Sequence, residues 1–145
     1  MRTVEAFTQD AGQTTVMRWR RSLVALFAGA ATAVVPAIAT DAALHAAGIL
    51  PALDQPAPDH LLLLALVYRN IYGVAGSYVA ASLAPTKPMT HALVLGIIGF
   101  VMSIWGTIAT WNSGATYGHH WYPLALVATA LPGAWLGAKL KGSRQ

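Results

Sequence analysis

The chain has no cysteine, and only five of its 145 residues are acidic. Without thiols there is no disulfide framework, thiolate nucleophile, zinc–thiolate site or iron–sulfur ligation. Charge of either sign is sparse, since Asp, Glu, Lys and Arg make up 10% of the residues, against about 25% in an ordinary soluble domain. No phosphate-binding glycine loop, HExxH helix or nucleophile elbow occurs, so enzymatic chemistry is not indicated. Apolar residues are abundant instead: 56% are hydrophobic and the mean hydropathy is +0.53, which places the chain in the membrane class. The net charge is +4 and the pI is near 9.8. The basic residues nevertheless sit in short clusters beside apolar runs rather than along a stripe, which argues for topology signals and against a nucleic-acid partner.

A hydrocarbon core of roughly 30 Å needs about 20 apolar helical residues to cross it. Four segments qualify, near residues 22–49, 60–84, 89–111 and 121–139. The expected fold class is therefore all-α, an integral membrane four-helix bundle forming a single domain over residues 22–140. Residues 1–21 read as an N-terminal tail without sustained helical period, and 141–145 as a short C-terminal tail. The connections "PALDQPAPDH", "PTKP" and "NSGATYGHH" carry the proline, glycine and polar residues of short turns.

Arg18, Arg20 and Arg21 precede the first segment, Lys87 lies in the second connection, and Lys139, Lys141 and Arg144 belong to the fourth segment's end. The first and third connections contain neither Lys nor Arg. The positive-inside rule then puts both termini in the cytoplasm. Trp19, Trp111, Trp121 and Tyr122 lie near segment ends, as an aromatic belt requires. The stretch "RWRRSLVALFAGAATAVVPAIA" also has the basic start, apolar core and small-residue ending of a signal peptide, whose cleavage would leave three spans. The apolar pattern continues to Pro51, which favours a retained first span.

Arg69 stands inside the second segment, where insertion of a charge costs about 2.5–3.5 kcal/mol. The only acidic residue within any segment is Asp41, in the first. Asp41 lies nine residues before Leu50 and Arg69 nine residues after His60; at 1.5 Å per residue both sit about 13 Å below the outer surface. Adjacent antiparallel helices can therefore join them in a buried ion pair. Asn70, Tyr72, Ser103, Thr107 and Thr129 fall near the same level, and His45, one turn from Asp41, can share its carboxylate. These residues are expected to form one polar layer in the outer half of the bundle. That layer either fixes helix register or lines a cavity that binds a polar or anionic group.

Small residues recur at 3-and-4 spacing on three segments: Gly73 and Gly76; Gly96, Gly99, Ser103 and Gly106; Gly133 and Gly137. Such faces let helices approach closely, within one chain or between chains. Pro36 and Pro132 read as tolerated helix prolines. His45, His60, His119 and His120 map to the outer end, but none has the spacing of a defined metal motif, and no metal or cofactor is expected.

The stretches "ATDAALHAAGILP", "VYRNIYGVAGSYVAASLAP", "KPMTHALVLGIIGFVMS" and "WYPLALVATALPGAWLGAKL" resemble a group of small, uncharacterised bacterial inner-membrane proteins with four helices. The resemblance covers roughly residues 20–140 and implies a multi-pass protein of the bacterial inner membrane. The expected partners are the lipid bilayer and either another membrane protein or further copies of the chain. The leading functional expectation is an accessory or scaffold subunit packing through glycine-rich faces; the alternative is a small transporter or ligand-binding protein using the layer around Asp41 and Arg69.

Overall fold

A computed structural model describes residues 2–52, 55–112 and 119–142, with side chains from Val16 onward. Four helices follow in order: α1 (Arg2–Ala46), α2 (Asp59–Leu83), α3 (Pro88–Thr110) and α4 (Trp121–Gly142). Each is long and apolar enough to cross a membrane, α1 over Val16–Ala46. The segment expected to be an irregular tail is helical from Arg2. Its lack of apolar period removes a reason to pack, not a reason to be helical, because extending a helix already nucleated in the apolar run adds one hydrogen bond per residue. The connection at 113–118 and Arg144 lie outside the described residues.

Helix ends follow local chemistry. Gly48, at φ +69°, takes the left-handed position after α1, and the amides of residues 47–50 return to the carbonyls of Ala43, Leu44 and His45. Pro88 occupies the first turn of α3, where its missing N–H is no loss. Pro36 and Pro132 lie inside α1 and α4, and both helices continue through them.

α2 is the hub, packing on all three other helices; α3 and α4 pack on each other, and α1 leans on α2 while touching α3 over a short stretch. The interfaces are made of small residues. Buried positions include Ala25, Ala80, Ala81, Ala92, Ala134 and Ala138 beside Leu62 and Tyr68, and among the described residues no large side chain is fully enclosed. Phe27 and Trp105 are 73% and 72% exposed. Small side chains inside and large apolar ones outside form the distribution expected when lipid, not water, surrounds the helices, since close backbone approach then supplies the packing energy.

The glycine faces divide. At Gly76 an added Cβ would lie 2.5 Å from the Gly29 carbonyl oxygen, and at Gly137 2.5 Å from that of Val74. Gly96 faces the Ala134 methyl just as closely, whereas a Cβ at Gly133 would make only ordinary contact with Val74 at 3.7 Å. A Cβ at Gly73, Gly99 or Gly106 would meet nothing within 4 Å, so these three stand clear of the close helix contacts within the chain. The buried line on α3 runs through Ala92, Gly96 and Thr107, so the 3-and-4 stripe leaves the interface beyond Gly96. On α1 the contact at Gly29 belongs to a run Ala25, Gly29, Ala33 at four-residue spacing, a small-residue pattern legible in the sequence but not singled out there.

Candidate functional site: the Asp41–Arg69 layer and its two cavities

α1 and α2 run antiparallel, and their Gly29–Gly76 contact sets the register in which Asp41 faces the turn holding Tyr68 and Arg69. Arg69 Nη2 donates to Asp41 Oδ2 at 2.5 Å, and the Tyr68 hydroxyl donates to Asp41 Oδ1. Both carboxylate oxygens are therefore engaged by α2. One turn toward the termini, the hydroxyls of Thr40 and Tyr72 are 3.0 Å apart in a second cross-helix hydrogen bond. The Tyr68 and Tyr72 rings lie 6.0 Å apart at 51°. The charged pair is half-buried rather than buried, with Arg69 38% and Asp41 27% exposed, which corrects the expectation of an enclosed ion pair. The reason is that open space adjoins Arg69 on both sides.

Toward the end opposite the termini, a cavity of about 270 Å³ is bounded by Asp41, His45, Gln55, Tyr68, Arg69 and Tyr122. On the other side of Arg69, a second cavity of about 350 Å³ lies among all four helices, with Arg69, Asn70, Ser77, Ser103 and Thr129 in an otherwise apolar wall. Arg69 lines both. Its Nε is buried and has no hydrogen-bond partner.

The remaining candidates separate into three groups. His45 Nδ1–H donates to the Asp41 backbone carbonyl at 2.8 Å, not to the carboxylate as expected, because a residue four positions on reaches its own helix's carbonyl more easily. Asn70 donates to Leu66 O, Thr107 to Ser103 O and Thr129 to Ala125 O, each one turn back in its own helix. Asn70, Ser103 and Thr129 still line the inner cavity, whereas Thr107 is buried and lies outside its wall. Tyr68 is not among the residues singled out from the sequence, and Tyr122 stands there only as part of the aromatic belt. A carboxylate with two oxygens to satisfy beside one arginine is the signal that points to Tyr68, the adjacent donor. Tyr68→Phe removes one of two donors to Asp41 and is expected to cost about 1.5–3 kcal/mol, the range for a hydrogen bond to a charged group, in detergent unfolding.

At the end opposite the termini, Asp59 accepts from His119 Nδ1 at 2.7 Å and Trp121 Nε1 at 2.8 Å, linking the starts of α2 and α4. His120 stacks on Trp111 with centroids 4.3 Å apart. Among the described residues no group of three or more His, Asp or Glu is placed to hold a metal ion. Asp59 and His119 are exposed, so Asp59→Asn is expected to leave thermal stability within error of the wild type.

The fold and site thus define a class: an all-α chain of four membrane-length apolar helices, with a charged and hydroxylic layer on the wall between two cavities. No family model matches the chain, and neither the curated proteins nor the solved structures offer a match.

Proposed function

We propose that this chain is a multi-pass protein of a bacterial inner membrane, with cytoplasmic termini, that binds a small polar-headed ligand at Arg69. Arg69's position carries this reading: it stands on the wall common to two cavities and keeps 38% of its side chain exposed there. An intramembrane arginine that served only to hold helix register would be expected to be closed in by packing. Here the inner cavity, at about 350 Å³, leaves room within the range that ligand sites occupy, about 300–1,000 Å³. The membrane assignment is supported by the small-in, large-out distribution of side chains and by the gathering of Arg18, Arg20, Arg21, Lys87, Lys139 and Lys141 at the end of the bundle that holds the termini.

A second reading, the accessory or scaffold subunit, is favoured by Gly99 and Gly106. Both are exposed on α3 with nothing against them, as a face awaiting another helix would be.

Native mass spectrometry of the protein extracted in mild detergent separates the two. Ligand binding leads to a stoichiometric small-molecule adduct on the wild type that is absent from a doubly neutral Asp41→Asn, Arg69→Gln variant. A ligand-free chain that comes out with a stoichiometric membrane partner contradicts the binding reading and supports the accessory one. Sidedness is tested separately, and the absence of native cysteine makes the labelling clean. Gln55→Cys is expected to react with an impermeant maleimide on intact cells or spheroplasts, and Thr86→Cys only after the membrane is opened.

A further inference from the structure

The inner cavity says what kind of molecule Arg69 meets, and the argument rests on the binding reading above. Arg69 carries five N–H donors in a planar fork. Asp41 takes one at Nη2 and Nε is enclosed within the protein, yet 38% of the side chain stays exposed and lines the cavity. A guanidinium facing an apolar space calls for an oxygen acceptor at its remaining N–H groups, because leaving them unmade forfeits their hydration without return.

The charge of the site limits that acceptor. Arg69 and Asp41 balance each other, and both carboxylate oxygens are already engaged. An anionic head would bring a third charge beside Asp41 with no second cation to compensate it, at a high desolvation cost. An uncharged ester, carbonyl or hydroxyl oxygen meets the guanidinium without that cost.

Asn70, Ser77, Ser103 and Thr129 add polar groups to a cavity that is otherwise apolar and opens sideways. Beyond Arg69 and Asn70 its walls are set by Ala30 and Ala33 of α1, Gly73 of α2 and Gly99 of α3. Val34, Ile98 and Met102 form a rim and are 53%, 50% and 64% exposed, so the mouth lies on the outer surface between α1 and α3. These two helices touch where Leu95 reaches Gly29 and leave a gap beside that contact. In a bilayer this mouth faces acyl chains, not water. A volume of about 350 Å³ lies at the small end of ligand sites, enough for one chain and not two.

We propose that the cavity beside Arg69 takes an uncharged, single-chain amphiphile from the bilayer, its head oxygen on the Arg69 guanidinium and its alkyl chain leaving between α1 and α3. Two glycines allow the cavity to be filled without disturbing the bundle. A Cβ at Gly73 or Gly99 meets nothing within 4 Å, and both glycines line the space; Gly106, equally unobstructed and also on α3, does not.

The test uses the full chain in lipid nanodiscs and a diazirine-bearing monoacylglycerol, with labelled residues mapped by mass spectrometry. The expected result is labelling of the α1 and α3 walls that drops at least tenfold in Gly99→Leu and Gly73→Leu and persists in Gly106→Leu, all three variants melting like the wild type. Unlabelled monoacylglycerol should compete at least tenfold better than the ionised fatty acid of equal length. Equal labelling in Gly99→Leu and Gly106→Leu would mean general lipid contact and overturn the proposal, as would better competition by the fatty acid. If the probe does not label while native spectra still show an Arg69-dependent small-molecule adduct, the amphiphile is wrong and the binding reading stands. If neither labelling nor adduct occurs, both fall.

Discussion

Arg69→Met is expected to lower the unfolding free energy of the detergent-solubilised protein by an amount near the lower end of about 3–5 kcal/mol, the range for breaking one side of a buried ion pair. The lower end applies because Asp41 and Arg69 keep 27% and 38% of their side-chain surface exposed. The variant leaves Asp41 with Tyr68 as its only side-chain donor. Asp41→Leu should cost a comparable amount for the opposite reason, since Arg69 then loses its only anionic partner. The informative variant is the double one. Replacing both residues removes both charges and their desolvation cost together, so much of the loss should be recovered, with a coupling of at least about 1 kcal/mol. If the two single effects instead add, the side chains are not in contact, and neither cavity has the wall described here.

The second large effect lies at the helix crossings. Gly137→Ala and Gly76→Ala each place a methyl group 2.5 Å from a backbone oxygen of the neighbouring helix, Val74 in one case and Gly29 in the other. Backbone cannot swing aside as a side chain can, so the helices must separate. Each substitution should destabilise by about 1–3 kcal/mol, as overpacking does elsewhere. Gly106→Ala, which meets nothing, should be neutral or stabilising by roughly 0.5–1 kcal/mol through helix propensity alone. Gly133→Ala should be tolerated, since its new methyl makes only van der Waals contact with Val74. Comparing thermal melts across the four variants tests the packing scheme without reference to any ligand. A uniform effect would contradict it.

These contrasts show which parts of the molecule the sequence exposes and which it hides. The four helices were legible because span length and apolarity are properties of each segment alone, and the α2 and α3 ends at Leu83 and Thr110 lie one residue from the expected 84 and 111. The meeting of Asp41 with Arg69 was legible because depth in antiparallel neighbours is a matter of counting along two helices joined by a short connection. Tyr68 was overlooked because helical-face reasoning placed Tyr72 beside Arg69, whereas the carboxylate draws donors from both sides of that face. The glycines misled for a related reason. Gly96, Gly99 and Gly106 share a stripe, but only the part that crosses α4 is packed, and a crossing point depends on the partner helix. A cavity beside Arg69 is one of the two alternatives that the polar layer leaves open, but the number and outline of the voids are not legible, since each is set by where side chains from four helices fail to meet.

The wall itself is the central claim, and a single thiol tests it. Ser103 lines the inner cavity on the far side of Arg69 from the outer one, and no native cysteine competes with an introduced one. In nanodiscs, the Ser103→Cys thiol should react slowly with a charged, water-soluble methanethiosulfonate reagent while Asp41 and Arg69 are in place. It should react at least tenfold faster when Asp41→Asn and Arg69→Ala are added, with Gln55→Cys unchanged as the control. Equal rates in the two backgrounds would contradict the account, because Arg69 would then divide nothing.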